Sequence, residues 1–168
     1  FPTLPQSYRG ANIIKTLYHP YENESQSPGP IRYPIEIREL QTMLSEWENG
    51  LVLLENALES MEKSKRPDGE RLYALGKFIR NAIRTTIGIK KWWLANMHLQ
   101  VASSPETMLS RLEEIESLAD AEIANVKDTI PCVELDSRLG WEPRMEYVCD
   151  NWHLEWKLRQ MQIAKQEL

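Results

Sequence analysis

A cysteine and a histidine one helical turn apart are the residues of this chain most suited to direct chemistry. Cys149 and His153 have the i, i+4 spacing that places two side chains on the same face of a helix. An imidazole beside a thiol can generate a nucleophilic thiolate, but a catalytic pair also needs a third group that orients the imidazole. The sequence shows no such group, so we interpret the pair as ordinary helix packing.

A metal site in a helical bundle requires the same ligand motif on two helices, and this sequence contains no such repeated motif. Di-iron helical bundles use Glu-x-x-His on two helices, because both ligands must project into one core. The chain has no Glu-x-x-His; its nearest match, Asp150-x-x-His153, occurs once, and His19 and His98 have no partner at ligand spacing. Gly-rich phosphate loops and nucleophile elbows are also absent from the sequence. We therefore predict neither a metal nor a cofactor.

Tryptophans form the second group of candidates, because six in 168 residues is a high number. Trp141 lies before a predicted C-terminal helix, and Trp152 and Trp156 lie one turn apart within it. Indole faces can bind sugar rings, but they also fill cores and interfaces. Tyr18 and Tyr21 add two aromatic rings near the N-terminus. We predict that the two tyrosines, Trp141 and one or other of Trp152 and Trp156 contribute to one contact face.

The connector at 132–143 has the least generic composition of the chain. Asp136 and Arg138 form either an ion pair within this loop or a polar pair that reaches toward a ligand. Gly140 is able to adopt a left-handed turn conformation, and Pro143 fixes the entry to the last helix. We expect Asp136 and Arg138 to supply the polar rim of the contact face, or to reach the active-site cleft of an attached domain.

These residues must be positioned by helices, and the clearest helical signal is an apolar ladder. Its members are three or four positions apart and share one face of a long helix: Ile37, Leu40, Leu44, Trp47, Leu51, Leu54, Leu58 and Met61. Because a stripe of this length must be covered by other helices, it predicts a helical bundle.

Proline and capping signals divide the rest of the chain. Pro34 is placed at the start of the first helix, Ser104-Pro105 starts the third, and Pro131 is expected to end it. The predicted helices are 34–63, 70–99, 105–128 and 145–167. The predicted fold is therefore all-α, an antiparallel four-helix bundle (34–168) preceded by an extended Pro-rich N-terminal arm (1–33).

Charges are sorted by helix. The first and third predicted helices are mainly acidic, whereas the second is mainly basic. Opposite charges favour the second helix as the neighbour of the other two, and like charges disfavour pairing of the first with the third. The alternative is that the basic side chains form a docking stripe for an acidic partner.

Net charge excludes several classes of partner. The chain has a net charge of -5 and a pI near 5.3, which argues against binding to nucleic acid or an anionic membrane. No sequence run approaches the ~20 apolar residues of a membrane span. Two cysteines, Cys132 and Cys149, are compatible with one disulfide or two free thiols, so a cytoplasmic and a secreted location both remain open.

The connector and the last helix carry a family resemblance. Asp136-Ser-Arg-Leu-Gly-Trp-Glu-Pro, Met145-Glu-Tyr-Val and Trp152-His-Leu-Glu-Trp-Lys resemble the closing segment of large bacterial glycoside-hydrolase-like proteins of the α-glucuronidase type. In that type a sugar-processing barrel is followed by a helical C-terminal region. The resemblance covers mainly residues 132–160 and includes no catalytic acid pair, so it implies no catalytic residue here. It implies that the chain belongs to a longer polypeptide and that the arm is the junction to a barrel.

The leading hypothesis is a noncatalytic helical accessory domain that packs on the catalytic domain of the same carbohydrate-active polypeptide. The first alternative is a self-standing helical module for protein interaction or oligomerisation. A small helical enzyme is the third hypothesis, and it requires an acid pair or a nucleophile in a pocket.

Overall fold

Four α-helices make up most of the described part of the chain. The computed structural model describes residues 29–142 and 147–166. The helices are α1 Gly29–Glu59, α2 Arg66–Gln100, α3 Pro105–Leu135 and α4 Asn151–Gln166. The all-α prediction is confirmed, and residues 1–28 of the predicted arm lie outside the described residues.

The most extensive helix–helix packing is between consecutive helices, and the interface of α2 with α3 is larger than those of α1 with α2 and of α3 with α4. Residue numbers rise along α1 while those of their ion-pair partners on α2 fall: Glu36 pairs with Lys90, and Glu48 pairs with Arg84. The same reversal relates α2 to α3 and α3 to α4, so consecutive helices are antiparallel. Short connections between α1, α2 and α3 make this the expected arrangement.

Ion pairs between the helices confirm the predicted charge sorting. On one side of α2, Lys90 Nζ lies 2.6 Å from Glu36 of α1. On the other side, Lys77 Nζ lies 2.7 Å from Asp128 of α3, and Arg80 pairs with the same carboxylate. The basic helix therefore lies between the two acidic helices, as expected from the repulsion between like charges.

The start of α1 differs from the prediction. The helix begins at Gly29, so Pro34 lies in its second turn and the residues before it, assigned to the arm, are helical. Tyr33 explains this extension, because its side chain is almost fully buried and packs edge-on against Trp93, with ring centroids 5.1 Å apart. Lys90 Nζ lies 4.5 Å from the same tyrosine ring and adds a cation–π contact.

Two glycines of α2 make room for leucine side chains of α1. A Cβ atom on Gly76 would lie 2.7 Å from Leu51 Cδ2, and one on Gly69 would lie 2.5 Å from Leu58 Cδ2. Seven residues separate these glycines, so they share one face of α2. Trp47 Nε1 donates a hydrogen bond to the Gly76 carbonyl at 2.8 Å. The buried members of the apolar ladder are Ile37, Leu51 and Leu58, whereas Trp47 is partly exposed at its edge.

Pro131 does not end α3, which continues to Leu135. A proline inside a helix costs about 3 kcal/mol or more, because it removes a hydrogen bond and clashes with the preceding turn. Extending the helix buries Cys132 and Val133, and Val133 packs in a second core with Val126 of α3 and Leu154 of α4. Burial of one aliphatic side chain contributes roughly 1.5–3 kcal/mol, so this packing offsets much of the proline penalty.

The prediction that the last helix begins at residue 145 is wrong. The chain instead forms a short 3-10 helix, Ser137–Gly140, and then a ribbon in which β1 Trp141–Glu142 pairs antiparallel with β2 Tyr147–Val148. The fourth helix, α4, begins only at Asn151. Asp150 caps it, because the His153 backbone N–H donates to Asp150 Oδ1 at 3.0 Å.

Candidate functional site

The connector between α3 and α4 holds Asp136 and Arg138 as an internal ion pair. Arg138 Nε donates to Asp136 Oδ1 at 2.8 Å, and Arg138 Nη2 donates to Oδ2 at 2.6 Å. The backbone N–H of Arg138 also donates to Oδ1 at 3.1 Å, so the carboxylate caps the 3-10 helix. These hydrogen bonds lower the pKa of the Asp136 carboxyl to about 2. Of the two roles left open by the sequence, the structure shows the loop ion pair.

Gly140 fixes the ribbon against the start of α4. A Cβ atom there would lie 2.9 Å from the Asp150 Cα and 3.1 Å from Val133 Cγ1, which is too close for any side chain. The Gly140 carbonyl accepts a hydrogen bond from the Cys149 backbone N–H at 2.7 Å. Close approach of two backbone segments, rather than the expected left-handed conformation, therefore explains glycine here.

Three tryptophan side chains near this connector are exposed to solvent. Trp141 on β1 is 63% exposed, Trp152 on α4 is 61% exposed and Trp156 is 50% exposed. By contrast, Trp93 in the core is fully buried. The other two members of the predicted contact face, Tyr18 and Tyr21, lie outside the described residues.

The Cys149–His153 pair has a structural explanation. Cys149 precedes α4, so the two side chains do not share a helical face, and His153 Nδ1 instead lies 2.7 Å from Asp150 Oδ1. Hydrogen bonds from His153 lower the pKa of the Asp150 carboxyl. The His153 ring also packs edge-on against Trp152, with centroids 4.8 Å apart. Burial raises the pKa of the other cysteine, Cys132, which disfavours its thiolate.

A polar seam (Asn81, Thr85, Asn125, Thr129) crosses the interface of α2 and α3. Asn81 Nδ2 donates to Thr129 Oγ1 at 2.9 Å and to Asp128 Oδ2 at 2.9 Å. Asn125 Nδ2 donates to the Asn81 carbonyl at 2.9 Å and to Thr85 Oγ1 at 3.0 Å. Burial raises the pKa of Asp128, but hydrogen bonds from Lys77 and Asn81 outweigh it and leave that pKa below its usual value.

The polar seam was not predicted from the sequence. Its one sequence signal is spacing, because Asn81 and Thr85 are four residues apart, as are Asn125 and Thr129. This spacing places each pair on one helical face, but the same residues at the same spacing are also common on solvated helix surfaces. Only the packing of α2 on α3 distinguishes the two cases.

A second feature missed from the sequence is a pocket around Glu122. Glu122 is one of the acids of the third predicted helix, and its side chain is mostly buried between α2, α3 and α4. Thr85 Oγ1 donates to Glu122 Oε1 at 2.7 Å, and Lys157 Nζ of α4 pairs with the same oxygen. Glu122 thereby joins the polar seam to α4.

Neither a metal cluster nor a membrane span is found where the structure can be described. Within 29–142 and 147–166, no three His, Cys, Asp or Glu side chains come together as potential metal ligands. No helix in those ranges is long and apolar enough to cross a bilayer.

Comparison with known proteins gives no relative, since no protein-family model, curated protein or solved structure matches the chain.

Proposed function

We propose that this chain is a noncatalytic helical accessory domain of a larger carbohydrate-active protein, which docks on the catalytic domain of the same polypeptide. The observation that carries the proposal is the exposure of Trp141, Trp152 and Trp156, at least half of each side chain being open to solvent. Tryptophan is enriched in the buried centres of interfaces, so three exposed indoles in one short part of the chain favour a docking role.

The fixed backbone that carries these tryptophans supports the same proposal. The Asp136–Arg138 ion pair and the close contact of Gly140 with Asp150 hold the ribbon that carries Trp141. Asp150 in turn caps the helix that carries Trp152 and Trp156. Because the backbone that carries these side chains is already fixed, it loses little conformational entropy when a partner binds.

Binding to the adjacent domain tests the proposal. The open reading frame that contains this chain should encode a catalytic barrel upstream, and that barrel, expressed separately, should bind the chain in calorimetry. Trp141→Ala and Trp152→Ala should each weaken binding by at least tenfold, whereas Leu53→Ala, at an exposed α1 position, should leave it unchanged. A reading frame without such a domain, or equal affinity of all variants, would contradict docking.

Self-association is the second candidate function, because a separate apolar groove exists between α1 and α2. Its volume is about 470 Å³, and Met43, Trp47, Leu72 and Leu75 form part of its wall with their side chains exposed. Sedimentation over a range of concentrations distinguishes the candidates: accessory docking predicts a monomer in the absence of the barrel. A stable dimer that Leu72→Asp disrupts would favour the oligomerisation module instead.

A further inference from the structure

A small pocket lies where α2, α3 and α4 meet, and its volume is about 200 Å³. Its walls are mainly apolar, with contributions from Ile89 and Trp92 of α2 and Met161 of α4. Pockets for drug-sized ligands are about 300–1,000 Å³, so this one has the size for a smaller molecule such as a single ring.

The polar end of the pocket is built around Glu122. Its Oε1 accepts hydrogen bonds from Thr85 and Lys157, as described above. Its Oε2 lies on the side of Gly88, 3.9 Å from the position that a Gly88 Cβ atom would occupy, and no described residue donates a hydrogen bond to it. The pocket therefore offers one carboxylate oxygen as an acceptor for a ligand.

Lys157 supplies donors at the same end. An ammonium group has three N–H donors, and Glu122 is the one partner that the structure describes for Lys157. The charges of these two side chains compensate each other. An ionic ligand would therefore bring an uncompensated charge into mainly apolar surroundings, which is costly, whereas a neutral ligand would not.

We propose that this pocket binds a neutral, hydroxyl-bearing ring of monosaccharide size. Glu122 Oε2 accepts a hydrogen bond from one hydroxyl group, Lys157 Nζ donates to another, and the apolar face of the ring packs against Trp92. The ligand needs hydroxyl groups because the pocket has an acceptor and a donor at one end. It needs an apolar face because the walls of the pocket are mainly apolar. The choice of a sugar over another polyol rests on the proposed function.

NMR titration of the isolated chain tests this site. D-glucose, D-xylose and myo-inositol are the neutral probes, and ethylammonium and acetate are the ionic probes. We expect saturable shifts of the Trp92 indole N–H and the Thr85 amide with a neutral sugar, at millimolar affinity. Saturable binding of an ionic probe alone, or no saturable shift with any sugar, would overturn the proposal. Binding of inositol but neither sugar would overturn the assignment to carbohydrate.

Variants separate the pocket from the exposed tryptophans. Glu122→Gln should weaken sugar binding by at least tenfold, because an amide has one acceptor oxygen and cannot accept from both Thr85 and a sugar hydroxyl. Gly88→Leu should abolish binding by filling the pocket. Trp156→Ala, which removes an exposed indole, and Gly50→Ala, at a glycine with no atom within 4 Å of a built Cβ, serve as controls that should bind normally. Circular dichroism verifies that each variant is folded.

Measurements of sugar binding and of barrel binding distinguish an error in the pocket proposal from an error in the docking proposal. Unchanged affinity of folded Glu122→Gln and Gly88→Leu would overturn the pocket, even if the barrel still binds the chain. Conversely, Trp141→Ala should weaken barrel binding by at least tenfold while retaining sugar binding. Loss of sugar binding in Trp156→Ala would place the sugar on the exposed aromatic surface and contradict the pocket.

Discussion

Substitution by alanine should have opposite effects on stability at two glycines of this chain. Gly140 lies against the Asp150 backbone, where a Cβ atom would approach within 2.9 Å, whereas a Cβ atom on Gly50 would meet nothing within 4 Å. We expect Gly140→Ala to lower the free energy of unfolding by about 1–3 kcal/mol through overpacking. Gly50→Ala in the middle of α1 should raise it by roughly 0.5–1 kcal/mol through helix propensity. Urea denaturation measures both, and changes of the same sign would contradict this account.

Acid should weaken the connector through the Asp136–Arg138 pair. Hydrogen bonds from Arg138 hold the pKa of Asp136 at about 2 in the folded chain, below the ~3.9 of an unfolded aspartate. The folded state therefore binds fewer protons, and the stabilisation is complete above about pH 4 and is lost as the pH falls toward 2.

Asp136→Asn tests this dependence. The urea midpoint of the variant should lie below that of the unmodified chain from pH 7 to pH 5, and the difference should shrink below pH 4. Asp68→Asn, at an exposed carboxylate, is the matched control and should show a smaller difference throughout. A difference for Asp136→Asn that stays constant down to pH 3 would show that the ion pair is not its source.

Leu51 and Leu53, two residues apart on α1, test how this helix packs on α2. Leu51 is 7% exposed and contacts Gly76 of α2, whereas Leu53 is 71% exposed on the same helix. Leu51→Asp should cost more than about 4 kcal/mol and abolish a cooperative thermal transition, because it places an unpaired charge in the core. Leu53→Asp should change the free energy of unfolding by only about 0.5 kcal/mol. Cooperative melting of Leu51→Asp at an unchanged temperature would refute the ladder.

The number of helices and their neighbours were predictable from the sequence, because apolar spacing and charge are properties of each helix by itself. Helix ends were less predictable, since they depend on packing elsewhere. Tyr33 is buried on Trp93 and extends α1 beyond Pro34, and Val133 is buried in the second core and extends α3 beyond Pro131. The last helix begins at Asn151 rather than at 145, because β2 precedes it and Asp150 caps it.

The candidate site was predictable only in part. The sequence predicted Trp141 and Trp152 as members of a contact face, and both are exposed in the structure. The pocket around Glu122 could not be predicted, because its carboxylate looks like any solvated acid until Thr85 and Lys157 come together across three helices.

At the scale of the whole molecule, we expect the isolated chain not to hydrolyse glycosides. Glycosidases place two carboxyl groups roughly 5–10 Å apart across a sugar-sized cleft, one of them kept protonated. Glu122 and Asp128 do line one groove between α1, α2 and α3, but both are ion-paired, and the pKa of Asp128 is lowered. Assays with aryl glycosides should show no turnover above buffer. Turnover that Glu122→Gln or Asp128→Asn abolishes would establish the small helical enzyme instead.

Docking on a parent catalytic domain is the central claim, and oxidative footprinting of tryptophans tests it most directly. In the isolated chain, Trp141 and Trp152 should be oxidised rapidly, and Trp93, which is fully buried, should be protected as an internal control. In the full-length polypeptide, Trp141 and Trp152 should become protected to a similar degree as Trp93. Equal oxidation of Trp141 and Trp152 in the isolated chain and in the full-length polypeptide would contradict the claim.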